Sequence, residues 1–140
     1  MTACCDSSEE RPRMTFETLA QYVLSLDSAI EWVALEEAGR EPRWAWRDPE
    51  SGRLCAACAT GNAQIADPLL FLLADGGGDL PGEDYRVRFI VLAYNNVVQI
   101  VARLRPGDHV TVAASPGVDP YALGTKLTSL LDACAQPVRH

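Results

Sequence analysis

Two cysteines separated by two residues, Cys55 and Cys58, have the spacing in this chain that is most typical of redox or zinc chemistry. Thiol–disulfide exchange favours such a pair at the start of a helix after a strand in a parallel α/β unit, where the helix dipole lowers the thiol pKa. The surrounding sequence predicts antiparallel strands instead. Zinc would need two more ligands. The other cysteines and histidines include no second pair at metal-site spacing: Cys4, Cys5, Cys134, His109 and His140. We interpret the pair as buried thiols and predict neither a metal nor a cofactor.

Two further features could carry chemistry, and neither has the residues that the chemistry needs. Nucleophilic catalysis at His109 would require a nearby Ser or Cys and a third group that orients the imidazole. No such group is marked in the sequence, so we interpret His109 as a solvated or strand-edge histidine. The glycines at 76–78 lack the lysine and hydroxyl of a phosphate loop, and they end a predicted helix where such a loop would begin one. We therefore predict that the protein is not an enzyme.

Four arginines lie near the ends of two predicted strands and could bind an acidic partner: Arg86, Arg88, Arg103 and Arg105. A two-residue turn between the strands would place Arg88 opposite Arg103. Like charges directly opposite each other destabilise a strand pair by up to about 1 kcal/mol, so an acidic group is expected over this corner. Carboxylates of this chain, which has 19 acidic residues, are one source. An acidic partner is the other, and we predict these four arginines as partner-binding residues.

The two strands form a hairpin that turns at Asn95 and Asn96. Asn tolerates the positive φ that a two-residue hairpin turn requires. The resulting register predicts a core face made entirely of apolar side chains: Val87, Phe89, Val91, Ala93, Val98, Ile100, Ala102 and Leu104. The opposite face mixes apolar side chains with Gln99 and the arginines.

The N-terminal half predicts one helix and at least two strands. Apolar residues recur at helical spacing from Thr15, and this helix should end near Asp27. Residues 30–35 form a strand that is apolar on both sides, with Ile30 predicted on the side of Trp32. Residues 43–47 form a strand with both tryptophans on one side. The segment 53–59 is either a third strand or the start of a helix.

The rest of the chain predicts two more helices and a last strand. Asp67 and Pro68 begin a helix that is apolar nearly all round and ends before the glycines. The strand 109–114 has a register that the sequence leaves open, because turns of two and three residues give opposite faces. Asp119 caps the final helix, which runs to Cys134.

Composition places the chain among single-domain proteins. Its 140 residues, 48% of them hydrophobic, suffice for one core. We expect tails at 1–13 and 137–140, with one domain at 14–136.

The net charge of −7 argues against binding to nucleic acid or to anionic membranes. The sequence has neither a secretory signal nor a membrane span, which predicts a cytoplasmic protein. Only one of the 12 basic residues, Lys126, is a lysine, which favours a bacterial source.

The predicted order is helix, two or three strands, helix, three strands, helix. It indicates an α+β fold in which helices sandwich an antiparallel sheet of about five strands. Strands 88–93 and 109–114, the turn 116–119 and the leucine-bearing helix 123–131 resemble the roadblock/dynein light chain family. In that family one helix covers one sheet face and the terminal helices cover the other.

The resemblance implies a non-enzymatic adaptor that forms a homodimer, and bacterial members act on or beside small Ras-like GTPases. The second helix and the neighbouring central strand make the family's dimer contact. This implies a dimer contact at Leu69, Leu70, Phe71 and Leu73. Two features depart from the family pattern: Asp67 and Pro68 shorten the second helix, and the turn at 48–52 suggests an extra hairpin.

A different class also fits the pattern. A monomeric sensor of the PAS, GAF or profilin-like sort would hold a small molecule between the sheet and the helices, near Trp44, Trp46 and Phe89. Such a sensor would be monomeric and would be stabilised by its ligand, whereas the adaptor would be a stable dimer.

Overall fold

The computed structural model describes residues 14–48, Glu50 and residues 87–135. These residues form two helices and five strands: α1 (Phe16–Leu24), β1 (Ile30–Glu36), β2 (Arg43–Trp46), β3 (Phe89–Ala93), β4 (Val98–Arg105), β5 (Asp108–Ala114) and α2 (Pro120–Ala135). The strands make one antiparallel sheet in the order β2-β1-β5-β4-β3. The predicted α+β class is confirmed. The segment 53–59 and the helix predicted after Asp67 lie outside the described residues.

The β3–β4 hairpin has the predicted register. Val91 pairs with Ile100 and Leu92 with Gln99. The backbone N–H of Tyr94 donates to the Val97 carbonyl at 2.8 Å, which closes the two-residue turn at the asparagines. The sequence therefore located this turn correctly.

Both described helices begin at polar caps, Thr15 and Asp119. The sequence predicted the first helix from Thr15 and named Asp119 as the cap of the last. The Thr15 hydroxyl accepts from the Thr18 N–H at 3.1 Å, and the Asp119 carboxylate accepts from the Tyr121 N–H at 3.0 Å. Such caps satisfy backbone donors that have no partner within the helix. Helix α1 ends at Leu24, three residues before the predicted Asp27, because Ser25 caps it and the chain then turns.

Both described helices pack on the same side of the sheet, which we call the helical face. Its core consists of buried side chains from α1, α2 and the strands, among them Val23, Val33, Leu35, Ile100, Val110, Val112, Leu123, Leu127 and Leu131. Burial of one such side chain stabilises the fold by about 1.5–3 kcal/mol. Among the described residues, no helix is long and apolar enough to cross a membrane.

The opposite side, which we call the tryptophan face, carries Trp32, Trp44, Trp46, Gln99, Val101 and Thr111. The Trp32 ring centroid lies 5.2 Å from that of Trp44 and 5.8 Å from that of Trp46. Trp32, Val101 and Thr111 are buried. The central strands therefore have buried side chains on both faces, but the two described helices cover only the helical face, and the helix predicted after Asp67 for the sandwich lies outside the described residues.

Two assignments of side chains to faces were wrong. A bulge between Ile30 and Trp32 turns Ile30 onto the helical face, whereas strict alternation placed it with the tryptophans. Val87 precedes β3 and packs against Val101 on the tryptophan face, so it does not join the predicted core face.

The predicted core face is also incomplete at β3. The four β4 residues are buried and Phe89 packs against the core, but Val91 and Ala93 are exposed. The reason is that β3 is an outer strand and α2 lies mainly over β4, contacting β3 at Phe89.

Candidate interaction surface

Strand β3 is one of the two outer strands of the sheet that the described residues form. An edge strand presents N–H and C=O groups that have no partner strand, and soluble proteins usually protect such edges with charges, prolines or bulges. The sequence of β3 is Phe-Ile-Val-Leu-Ala, without a charge or a proline. Its pairing with β4 is regular along its whole length. This strand is therefore chemically suited to pairing with another strand.

Apolar side chains extend this edge onto the helical face. Val91, in the middle of β3, is 37% exposed, and Tyr121 near the start of α2 is 72% exposed. The Tyr121 ring centroid lies 6.1 Å from that of Phe89, which links the helix to the strand. We call Phe89, Val91, Ala93 and Tyr121, together with the outer backbone of β3, the β3 edge surface. Its apolar side chains would gain from burial against a partner.

Gly124 sets how closely α2 approaches this surface. A Cβ atom at Gly124 would lie 2.5 Å from two carbons of the Phe89 ring, far inside van der Waals contact. A glycine costs helix stability in the middle of a helix, but here it makes room for the aromatic ring. Nothing local in the sequence marks a glycine in α2 as the neighbour of a ring in β3, so this contact could not be predicted from the sequence.

Arg88 lies just before β3 and extends toward α2. Its guanidinium donates to the Thr128 hydroxyl at 2.9 Å, and that hydroxyl donates to the Thr125 carbonyl at 3.1 Å. Strand β3 begins only at Phe89, so Arg88 is not held opposite Arg103 in the sheet. The repulsion expected from the predicted register is relieved in this way.

Arg105 is paired with carboxylates of the same chain. Its Nε lies 3.0 Å from Asp108 Oδ2, and one of its Nη atoms lies 3.6 Å from Glu37 Oε2. Glu37 also contacts Arg43 at 2.7 Å and Arg40 at 3.7 Å. For Arg105, the acidic groups expected over the arginine corner are thus supplied from within the chain.

The remaining arginines take other positions. Arg103 pairs with His109 of β5 on the tryptophan face, and Arg86 lies outside the described residues. The structure therefore does not gather Arg88, Arg103 and Arg105 into one cluster. Their assignment as partner-binding residues stays a prediction.

The residues considered for catalysis or metal binding are dispersed. His109 is the second residue of β5, a central strand, and it lies half-buried between Glu36 and Arg103 in the sheet register. Within the described part of the chain, no group of three or more His, Cys, Asp or Glu side chains could hold a metal ion. Cys55 and Cys58 lie outside that part.

Cys134 is the one cysteine among the described residues. Its sulfur lies 3.8 Å from the Met14 sulfur, where the end of α2 meets the residues before α1. Burial raises the pKa of the Cys134 thiol, which keeps the thiol protonated and lowers its reactivity as a nucleophile.

The aromatic residues proposed to line a ligand pocket are divided between the two faces. Trp44 and Trp46 lie on the tryptophan face, while Phe89 packs on the helical face against α2. The sheet separates them, so these three side chains do not line one site. The four residues implied as the dimer contact, Leu69, Leu70, Phe71 and Leu73, lie outside the described residues.

Comparisons with known proteins give structural likeness without sequence relatives. No protein-family model matches the chain, and no curated protein matches its sequence. A roadblock/LC7 domain from Streptomyces avermitilis superposes with a TM-score of 0.53 and 20% identity, covering 82% of this chain and 90% of that one. MglC from Myxococcus xanthus gives a TM-score of 0.55 and 12% identity, covering 87% and 94% respectively. At these identities the likeness concerns the fold.

Proposed function

Given that the chain has a roadblock/LC7-type fold, we propose that it is a non-enzymatic interaction module that forms a homodimer. The observation that carries this proposal is that β3, an outer strand of the sheet formed by the described residues, is uncharged, regularly paired with β4 and exposed at Val91 and Ala93. Two copies paired along β3 would join their sheets and present a joint surface to a third protein. We infer that this third protein is a small Ras-like GTPase or a related signalling protein, as the family resemblance implies.

The geometry of β3 favours a symmetric pairing. A homodimer usually has a two-fold axis, so the same surface of each copy meets its counterpart. Val91 is the central residue of the five in β3, and an axis there would pair it with Val91 of the second copy. Antiparallel pairing supplies backbone hydrogen bonds, and the neighbouring side chains supply burial. Ala93 and Tyr121 lie on the same side and would be covered further.

Charge at the centre of the edge should separate the dimer. We expect the wild-type protein to be a dimer in light scattering at micromolar concentration and the Val91→Lys variant to be a monomer, because two ammonium groups would meet across the axis. Tyr22→Lys is the matched control: Tyr22 is 50% exposed on α1, which packs against β1 and β2 at the other end of the sheet. It should remain a dimer.

A monomeric wild-type protein would contradict the proposal. A Val91→Lys variant that remains dimeric would place the contact elsewhere, for example at Leu70 and Phe71, where charged substitutions are the corresponding test.

The GTPase partner is tested separately. A Ras-like GTPase encoded beside the gene should co-elute with the wild-type dimer, and its nucleotide exchange or hydrolysis rate should change on binding. Charge reversal at Arg88 and Arg103 should weaken that complex if the arginines contact it. Unchanged binding would remove the arginines from the proposal, and no binding of any such GTPase would remove this class of partner.

A further inference from the structure

The outer edge of β3 has a definite arrangement of backbone hydrogen-bonding groups. In an antiparallel pair, successive residues of a strand direct their N–H and C=O groups alternately toward and away from the neighbouring strand. The N–H of Tyr94 donates to the Val97 carbonyl, so Tyr94 and every second residue before it face β4. The remaining residues of β3 direct their backbone groups outward: Phe89, Val91 and Ala93.

These outward groups limit how a second copy can pair with β3. Only residues with outward groups can exchange backbone hydrogen bonds, so the two strands can shift past each other only by two residues at a time. With Val91 opposite Val91 of the second copy, Phe89 lies opposite Ala93 and every outward residue is paired. A shift by two residues in either direction leaves one outward residue of β3 without a counterpart in the other β3. The central register therefore makes the most hydrogen bonds.

Arg88 has hydrogen-bonding capacity that the described chain does not use. Its guanidinium donates to the Thr128 hydroxyl at 2.9 Å, and within the described residues no carboxylate pairs with it. A guanidinium has more N–H donors than this one bond uses, and Arg88 is exposed. The bond to Thr128 holds the side chain on the helical face, at the start of β3. Arg88 therefore presents free donors where a second copy would pair.

The turn at Asn95 in the second copy would lie against Arg88. In the central register Phe89 is opposite Ala93 of the second copy, so Arg88 is opposite Tyr94 and adjacent to Asn95, which is exposed. Neighbours of this kind across a strand pair lie within about 7–8 Å of each other at the backbone, a distance that long side chains span. The Asn95 amide oxygen is a hydrogen-bond acceptor.

We propose that Arg88 of each copy donates a hydrogen bond to the Asn95 side chain of the other copy and so closes both ends of the β3 strand pair. The inference rests on the proposed homodimer, to which it adds a register and a polar contact. Burial of Val91 suits many apolar partners. The Arg88 contact requires an acceptor at one position, and so it selects a second copy of this chain.

The dissociation constant of the dimer tests the contact. Arg88→Ala should raise it by about tenfold or more, because a hydrogen bond from a charged donor is lost at both ends. Arg40→Ala removes the same charge in the turn between β1 and β2, where Arg40 is 68% exposed. This matched control should leave the dissociation constant unchanged. An Arg88→Ala dimer as tight as the wild type overturns the proposal.

A substitution on the acceptor side separates the contact from a general effect of Arg88 on folding. Asn95→Asp should lower the dissociation constant, because a carboxylate accepts more strongly from a guanidinium than an amide does. It should not lower the constant in the Arg88→Ala background. An equal decrease in both backgrounds contradicts the pairing of Arg88 with Asn95.

Disulfide cross-linking tests the register without depending on affinity. The Val91→Cys variant should form an intermolecular disulfide at position 91, because directly opposite residues in such a pair lie about 5.5 Å apart at Cα, within disulfide range. Ile90→Cys and Leu92→Cys are the matched controls, since each lies on the two-fold axis only in a register shifted by two residues. Peptide mass spectrometry identifies the linked position, because the wild-type chain already contains five cysteines.

The results distinguish this contact from the homodimer itself. A monomeric wild-type protein removes the homodimer and the contact together. A dimer that cross-links at position 90 or 92 in place of 91, or at none of the three, keeps the homodimer and overturns the register from which the Arg88 contact follows.

Discussion

Replacing Gly124 by alanine tests how helix α2 holds the edge strand. The added Cβ would lie 2.5 Å from Cε1 and Cζ of the Phe89 ring and 2.7 Å from Cδ1. Carbon atoms pack at about 3.5–4.0 Å, so the ring must move by roughly 1 Å. Phe89 is confined by the core of the helical face and by Tyr121. Overpacking of this kind costs about 1–3 kcal/mol.

The opposing term is helix propensity. Alanine favours a helix interior over glycine by about 1 kcal/mol, so at an open position the substitution would stabilise the protein. Subtracting this gain from the overpacking cost leaves a net loss of up to about 2 kcal/mol for Gly124→Ala, whereas an open position would show a gain of about 1 kcal/mol. The sign of the change therefore reports directly on the contact with Phe89.

Urea unfolding followed by circular dichroism measures this change, provided that the dependence on urea concentration stays the same for all variants. Gly117→Ala is the control, because no atom lies within 4 Å of a Cβ built at Gly117. Its stability should be unchanged or slightly higher. The double variant Phe89→Leu/Gly124→Ala should lose less than the sum of the two single changes, since the smaller side chain removes the clash.

A stability increase of about 1 kcal/mol in Gly124→Ala, the value for an open helix position, would refute the packing of Phe89 beneath α2. Because Phe89 anchors the start of β3, the same variant should also weaken the proposed dimer.

Two further predictions concern the end of α1 and the thiol. Arg47 donates to the carbonyls of Leu24, Asp27 and Ile30. Arg47→Ala leaves these carbonyls without that donor, so it should lower the free energy of unfolding in a urea titration by about 1–2 kcal/mol. An unchanged free energy of unfolding would contradict a stabilising role of Arg47. Burial raises the pKa of Cys134, so its thiolate fraction at pH 8 is smaller than that of an exposed cysteine. Alkylation of Cys134, followed by peptide mass spectrometry, should therefore be slower in the folded protein than in urea. Equal rates would contradict the prediction.

The two faces of the sheet differ in composition. The helical face carries the core formed by α1 and α2, and its incomplete cover at β3 leaves Val91 and Tyr121 for a partner. The tryptophan face combines an aromatic cluster with the buried amide of Gln99, which has no hydrogen-bond partner within the described part of the chain.

Several features were predictable because they depend on residues close together in the chain. Asn95 and Asn96 specify a two-residue turn, and counting outward from it gives the whole β3–β4 register. Thr15 and Asp119 identify the helix starts by side-chain capping. The alternation at Trp44 and Trp46 places both rings on one side of β2.

Other features could not be predicted because they depend on which strands become neighbours. A strand's pattern of side chains does not say whether it lies in the middle of a sheet or at its edge, so Val91 was assigned to a core that α2 does not reach. The bulge beside Ile30 appears only when β1 pairs with β5. Arg105 meets Glu37 because the two hairpin ends lie side by side in the folded sheet.

The sequence by itself determined the local elements, the hairpin register and the α+β class, since turn chemistry, caps and periodicity act over a few residues. Only the tertiary structure decided the strand order, the exposure of β3, the contact between Gly124 and Phe89 and the isolation of Gln99. These features arise from packing between segments far apart in the chain, where burial depends on all the surrounding elements together and not on the pattern of any one of them.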